Sequence, residues 1–201
     1  MEGLADLRSA SIPEIFAATG ALRRGHFLLK SGRHSDRYLE KFTVLQYPSV
    51  AAEIGRRLAE RLARQQPTLV VGPTTGGVLL AYDTARHLEG LLGRTVRGVF
   101  AEPMERGVRA MRRGWPVAAD ERVVLVDDIL TTGASLVETV AAVRAAGAAP
   151  LEAAVIVDRS VGPVEIGCPL TALGRIEIES WEASACPLCG SGEPLVKPGS
   201  S

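Results

Sequence analysis

From about residue 66 onward, short Val-rich runs alternate with longer Ala-rich or amphipathic stretches. That is the rhythm of strands and helices in a parallel α/β sheet. Five runs read as strands: Thr68–Gly72, Thr95–Phe100, Arg122–Val126, Glu152–Val157 and Thr171–Ile178. They are continuously apolar or β-branched rather than alternating, as suits strands covered on both faces. Helical patterns occupy Gly76–Glu89 and Ala134–Ala146, and Gly147 stands where the second would stop. Two more helices are predicted ahead of the sheet, over Ile12–Thr19 and Ser49–Arg64, the latter opened by Pro48-Ser49. Residues 25–47 read as a hairpin-like or irregular cap. Residues 101–120 carry Pro103, Gly107, Gly114 and Pro116 among many charges and read as a long exposed loop. There is no internal repeat, and Gly190–Ser201 reads as a tail. The pattern predicts a single domain over residues 1–201: an N-terminal helix and cap (1–47), an α/β core (48–180) and a C-terminal segment (181–201).

Composition narrows the class. Lys+Arg and Asp+Glu balance at 23 each, so net charge advertises neither a nucleic-acid nor a membrane partner. The 46% hydrophobic content suits a packed core, and no apolar run approaches the ~20 residues of a membrane helix. The opening MEGLADLRSA lacks the basic-then-apolar build of a secretory signal. Three cysteines make no disulfide framework. The expectation is a soluble cytoplasmic protein. Cys186-Pro-Leu-Cys189 could be half of a zinc site or a redox pair. With only Cys168 and three early histidines to complete a tetrahedron, a turn with two plain thiols is the expected reading.

The chemistry concentrates in Val123–Ser135, VVLVDDILTTGAS. An apolar strand runs into two adjacent carboxylates and then into a loop of small and hydroxylic residues. Ligands of open α/β sheets bind beyond the carboxyl ends of strands, near the N-termini of the following helices. Thr131-Thr132-Gly133-Ala134-Ser135 can wrap a phosphate with backbone N–H groups and three hydroxyls. Gly133 permits a close approach or a positive φ. Asp127 and Asp128 would repel that phosphate if aimed at it. They suit a hydrogen-bond donor such as vicinal sugar hydroxyls, or a nearby Mg²⁺. Phosphate and hydroxyls together describe a ribose 5-phosphate. A helix cap alone would explain one acid, not two. Neither G-x-x-x-x-G-K-[ST] nor a strand followed by G-x-G-x-x-G occurs.

These thirteen residues resemble the phosphoribosyl-pyrophosphate (PRPP) motif of type I phosphoribosyltransferases. The resemblance implies that family's fold: a central, mostly parallel five-stranded sheet flanked by helices, with a small N-terminal hood. It implies that Asp127 and Asp128 hold the ribose hydroxyls, while Ile129, Leu130, Thr131, Thr132, Gly133, Ala134 and Ser135 complete the PRPP contact. Three further stretches resemble the orotate phosphoribosyltransferases. His26–Tyr38 (HFLLKSGRHSDRY) is similar to their hood, with Lys30 at its basic position, implied to serve PRPP and orotate. Val71–Ala81 (VGPTTGGVLLA) is similar to their pyrophosphate loop, here Thr74, Thr75, Gly76 and Gly77. Asp158-Arg159 matches a strand-end arginine used on the orotate carboxylate, which a guanidinium fork suits. Thr131 carries over as an orotate contact, and Tyr38 could lie against the pyrimidine ring. Taken one at a time, Lys30 and Arg33 could be solvated cations, Arg159 could pair with Asp158 or Glu179, and the glycines could be turn residues.

The long loop departs from the family pattern. Phe100–Glu121 holds no Lys and no His, and Arg106, Arg109, Arg112 and Arg113 supply its positive charge. Arg112 or Arg113 is the expected stabiliser of the leaving pyrophosphate, and the other arginines read as ordinary loop charge. The implied reaction takes PRPP and orotate to orotidine 5′-monophosphate and pyrophosphate, a step of UMP synthesis. Mg²⁺ is the implied cofactor, held mainly through PRPP rather than by a protein cage. A homodimer is implied by the family alone. The alternatives are a phosphoribosyltransferase for a purine or xanthine, and a non-catalytic PRPP-binding regulator.

Overall fold

A computed structural model describes residues 7–29 and 31–198. In chain order the elements are α1 (Ile12–Ala18), β1 (Leu22–Leu28), β2 (His34–Leu39), α2 (Lys41–Leu45), α3 (Pro48–Leu62), β3 (Leu69–Pro73), α4 (Gly76–Leu92) and β4 (Arg97–Pro103). There follow β5 (Arg109–Ala110), β6 (Val123–Leu130), α5 (Ala134–Ala145), β7 (Pro150–Asp158), β8 (Leu170–Arg175), α6 (Pro187–Gly190) and β9 (Leu195–Val196).

The first helix shows how local sequence sets a boundary. Ser11 accepts from the Glu14 N–H while Glu14 reaches back to the Ser11 N–H, a reciprocal cap that satisfies two donors which no helical carbonyl can reach. Its apolar face, Ile12, Ile15 and Phe16, is buried.

The main sheet runs in the order β5-β4-β3-β6-β7-β8. All its pairs are parallel except β4 with β5, a two-residue antiparallel edge. The expected five-stranded sheet is therefore extended by a sixth, short strand inside the long loop. Both faces are covered, which explains the unbroken apolar runs. Along β6, Val124 and Val126 join the core beneath α3 and α4, while Val123 and Leu125 join the core beneath α5. The loop at Met111, Trp115 and Val117 packs against that second core, so it is anchored by apolar contacts rather than fully exposed.

Chain order across the sheet fixes where a ligand can enter. After β3 the chain steps outward to β4, then returns to β3's other side as β6. The loops leaving β3 and β6 therefore diverge, α4 packing in one core and α5 in the other. The crevice between their carboxyl ends is the switch point where open α/β sheets take ligands.

A second sheet, β2-β1-β9, forms the hood. The β1–β2 hairpin matches the predicted cap. Residues 195–196 correct the reading of a free tail: they lie parallel to β1, pairing His26 with Leu195 and Phe27 with Val196. Two residues of strand are too few to show as a periodic pattern. No helix among the described residues is long and apolar enough to cross a membrane.

Candidate active site

Asp127 and Asp128 lie near the end of β6, still within the strand, and both are buried. Their backbone turns the carboxylates back on the chain: the Asp128 N–H donates to Asp127 Oδ1 at 2.8 Å, and the Ile129 N–H to Asp128 Oδ1 at 2.8 Å. Asp128 Oδ2 is left without an aligned hydrogen bond, although Lys41 Nζ stands 2.8 Å away as a charge partner. Burial, then the neighbouring Asp128 charge, pushes the Asp127 carboxyl up to about 7 against the lesser pull of Lys41 and Arg109. Ile129 and Leu130 send their side chains into the two cores, so only their backbone can meet a ligand.

The strand gives way at Thr131. Gly133 takes φ +77° and caps α5 without a side chain of its own, and the first-turn Ala134 N–H makes a long 3.5 Å contact to Thr132 Oγ1. The first-turn N–H groups, with the exposed Thr131 and Thr132, make an anion cradle. Glycine is required twice over at 133, because a Cβ would sit 2.5 Å from Val164 Cγ1 and 3.1 Å from Ile166 Cγ2 in an unfavourable φ. Gly133→Ala is expected to cost about 2–4 kcal/mol from left-handed strain and overpacking together. Thermal denaturation should read this as a fall of several degrees.

The loop leaving β3 faces the acidic pair. A Cβ on Gly76 would lie 2.0 Å from Asp128 Oδ2, and one on Gly72 would lie 2.1 Å from the Gly77 carbonyl oxygen. These glycines are close-approach residues, not plain turn formers. A side chain at 76 would displace the carboxylate, which accounts for glycine there. The Thr74–Thr75 peptide between them is cis.

Arg159 follows the end of β7 and bonds its N–H to the Leu130 carbonyl at 3.0 Å, beside Thr131. Its neighbour Asp158 is taken by Arg175 at 2.7 Å and by the Ser160 N–H at 2.8 Å. Among the described residues neither Asp158 nor Glu179 pairs with Arg159. Burial lowers the Arg159 pKa, with Tyr38 acting in the opposite sense. A half-buried guanidinium without a carboxylate partner is a ready receptor for an anionic ligand. Tyr38, on the hood strand β2, packs tilted against Phe27 at 5.7 Å between ring centroids. Lys30 lies outside the described residues.

Of the loop arginines, Arg112 is exposed and Arg113 donates to Glu102 Oε1 at 2.6 Å. Arg109, read from sequence as ordinary charge, is bound to the β3 loop. Its Nη1 reaches the Ala101 carbonyl at 3.2 Å, Thr74 Oγ1 at 3.4 Å and the Thr74 carbonyl at 3.5 Å. Its Nε sits 3.2 Å from Glu138 Oε2, a charge contact without hydrogen-bond alignment. Lys41 and Arg109 were invisible to motif reading because each belongs to no motif and reaches the site through the fold. Cys186 and Cys189 are likewise not isolated thiols: His26 and His34 meet them in the hood.

The chain is similar to known proteins along most of its length. The family model for the phosphoribosyl transferase domain matches residues 43–184. A protein of Caldanaerobacter subterraneus subsp. tengcongensis named orotate phosphoribosyltransferase is 40% identical over 194 residues, covering 96% of this chain and 98% of the relative. Its namesake in Caldicellulosiruptor saccharolyticus is 45% identical over 187 residues, covering 93% and 94%. Among solved structures, the Aeropyrum pernix orotate phosphoribosyltransferase superposes with a TM-score of 0.60 at 25% identity, covering 82% of this chain and 93% of that one. The Mycobacterium tuberculosis enzyme bound to Fe(III) dicitrate has the same fold, with a TM-score of 0.65 at 22% identity over 82% and 96%. The chain shares its fold with these proteins, and it belongs to the orotate phosphoribosyltransferases of the phosphoribosyltransferase family.

Proposed function

We propose that the chain transfers the 5-phosphoribosyl group of PRPP to orotate, releasing pyrophosphate and forming orotidine 5′-monophosphate. The observation that carries the base assignment is Arg159, a half-buried cation without a carboxylate partner among the described residues. Orotate brings the anion it lacks, whereas a neutral purine would leave it desolvated and unpaired. A structural neighbour, the Mycobacterium tuberculosis orotate phosphoribosyltransferase, is known in complex with PRPP, which supports the sugar-phosphate half of this reading.

In this reading Asp127 and Asp128 accept from the ribose hydroxyls, and Thr131–Ser135 with the first turn of α5 hold the 5-phosphate. Arg159, Thr131 and Tyr38 hold orotate, with Lys30 serving both substrates. The pyrophosphate lies against Thr74, Thr75, Gly76 and Gly77, a loop braced by Arg109. The C1–oxygen bond to pyrophosphate breaks and C1 gains oxocarbenium character. The ring nitrogen of orotate attacks the opposite face, and its proton is released. No protein nucleophile is required, so the chain contributes alignment and charge stabilisation. Arg112 and Arg113 stabilise the departing pyrophosphate as the loop folds over and excludes water.

Mg²⁺ fits the donor set, because Asp127 and Asp128 offer hard carboxylate oxygens of the kind this cation takes, with Lys41 already balancing part of the charge on Asp128 Oδ2. Carried in mainly by PRPP and facing Asp127 and Asp128, it would neutralise charge on the leaving group. A cytoplasmic homodimer completes the reading, supported by Leu79 and Tyr82, which are 49% and 70% exposed one turn apart on α4.

The reaction is tested by the absorbance of orotate on mixing with PRPP and Mg²⁺. Loss of absorbance that needs all three supports the assignment, and PRPP binding with orotate left intact would overturn the base. The same assay separates the arginines. Alanine at both Arg112 and Arg113 should lower kcat about 10–100-fold with little change in Tm. Arg109→Ala should lower Tm as well, because it strips the brace from the Thr74 loop.

A further inference from the structure

His26, His34, Cys186 and Cys189 each turn one ligand-type atom toward a common point, all within 4.8 Å of one another. His26 Nε2 lies 2.9 Å from His34 Nδ1, 3.4 Å from Cys186 Sγ and 3.8 Å from Cys189 Sγ. Cys189 Sγ lies 3.3 Å from His34 Nδ1. A tetrahedral ion with bonds of about 2.0–2.1 Å to nitrogen and about 2.3 Å to sulfur sets nitrogen–sulfur edges of about 3.6 Å. Three of the four nitrogen–sulfur distances, 3.3, 3.4 and 3.8 Å, bracket that edge, and the fourth lies within 4.8 Å.

We propose that these four side chains bind one structural zinc ion, which staples the C-terminal segment to the hood. Two thiols and two imidazoles select a borderline-soft, tetrahedral metal over Mg²⁺ or Ca²⁺. Four protein donors close the coordination sphere, so the site is structural rather than catalytic. Three of the donors are buried, with His26 3%, His34 6% and Cys186 7% exposed. The surroundings orient them as well. His26 Nδ1 meets the Glu193 carbonyl at 2.9 Å, a contact that assigns the proton to Nδ1 and leaves the Nε2 lone pair for a metal. His34 exchanges both backbone hydrogen bonds with Trp181, each 2.8 Å, which brings the chain alongside just before the first cysteine. Cys186 caps the short helix α6 and Cys189 falls within it, so the i,i+3 spacing puts both sulfurs on one side.

None of the four donors is among the residues assigned to PRPP or orotate. All four residues lie outside the 43–184 span of the family domain. A three-stranded sheet closed by a two-residue strand has little core of its own, and a bound ion supplies the cohesion it lacks. Arg33, just before His34, binds Ser180 and Glu182 of the C-terminal segment. The ion thereby joins the hood hairpin to the C-terminal segment.

The test uses the untagged full-length protein, purified under reducing conditions without chelator. Elemental analysis is expected to give one zinc per chain, and X-ray absorption two sulfur and two nitrogen neighbours. Exchange for Co²⁺ should give the visible and charge-transfer bands of a tetrahedral thiolate site, which needs no variant to fold. Cys186→Ser with Cys189→Ser should abolish the metal and lower Tm by several degrees. The proposal falls if neither Zn²⁺ nor Co²⁺ binds the reduced protein, if the double serine variant keeps its zinc, or if the as-purified cysteines form a disulfide that Zn²⁺ does not replace after reduction. None of these readouts depends on turnover, so the proposal and the orotate reading can fail separately.

Discussion

Arg159→Ala is expected to lower kcat/KM for orotate by about 10²–10³, the equivalent of about 3–4 kcal/mol for a lost, partly desolvated guanidinium–carboxylate pair. PRPP affinity should stay within about twofold, because the residues assigned to PRPP lie on β6, the start of α5, the β3 loop and the hood. The free protein gives the sharper discrimination. Arg159 has no carboxylate partner among the described residues, and burial already disfavours its charge. Removing it should therefore leave Tm unchanged or slightly raised, whereas an arginine held for the fold would lower Tm when removed. Arg159→Lys restores the charge but not the two-pronged geometry, and should recover only part of the loss. Steady-state kinetics with thermal denaturation of the three proteins decides the matter. Intact orotate kinetics together with a lowered Tm would remove Arg159 from the site.

Asp127→Asn should separate stability from function in a pH-dependent way. Asp127 is pushed up to about 7 by burial and then by Asp128. An unfolded chain releases this proton near the ordinary aspartate value of 3.8. Between those limits the folded state holds the proton more tightly, so stability falls as pH rises from about 4 to about 7, and the full penalty applies above. Asparagine removes the penalty. At pH 8 the variant is expected to be more stable by about 1–2 kcal/mol, a few degrees in Tm. The advantage should shrink at pH 5 and vanish at about pH 4 and below, where the unfolded wild type is protonated as well. PRPP binding should move the other way, weakening about 10–100-fold with the loss of a charged acceptor for the ribose hydroxyls. Calorimetry at two pH values and a PRPP titration test both halves. Equal destabilisation at pH 5 and pH 8 would refute this account of the pair.

These two residues were legible before any coordinates because their chemistry is local. VVLVDDILTTGAS is a strand end, an acidic pair and a helix start in one continuous stretch, so spacing alone places carboxylates beside a phosphate cradle. Arg159 follows directly on an apolar strand and inherits its place from that strand. The glycines of the β3 loop were legible as a motif, but the reason for Gly76 was not, since the Asp128 carboxylate that excludes a Cβ comes from another strand.

What the sequence determined by itself, then, was the α/β alternation, the buried strands and the three short segments that converge at the switch point. Each depends on neighbours within a few residues. Only the tertiary structure decided that Lys41 faces Asp128, that Arg109 braces the β3 loop, and that residues 195–196 close the hood sheet. It alone brought Cys186 and Cys189 to His26 and His34, across separations as long as 163 residues. Such contacts follow from how sheets and helices pack, and hydrophobic periodicity along a chain carries no record of which distant side chains will share a point in space.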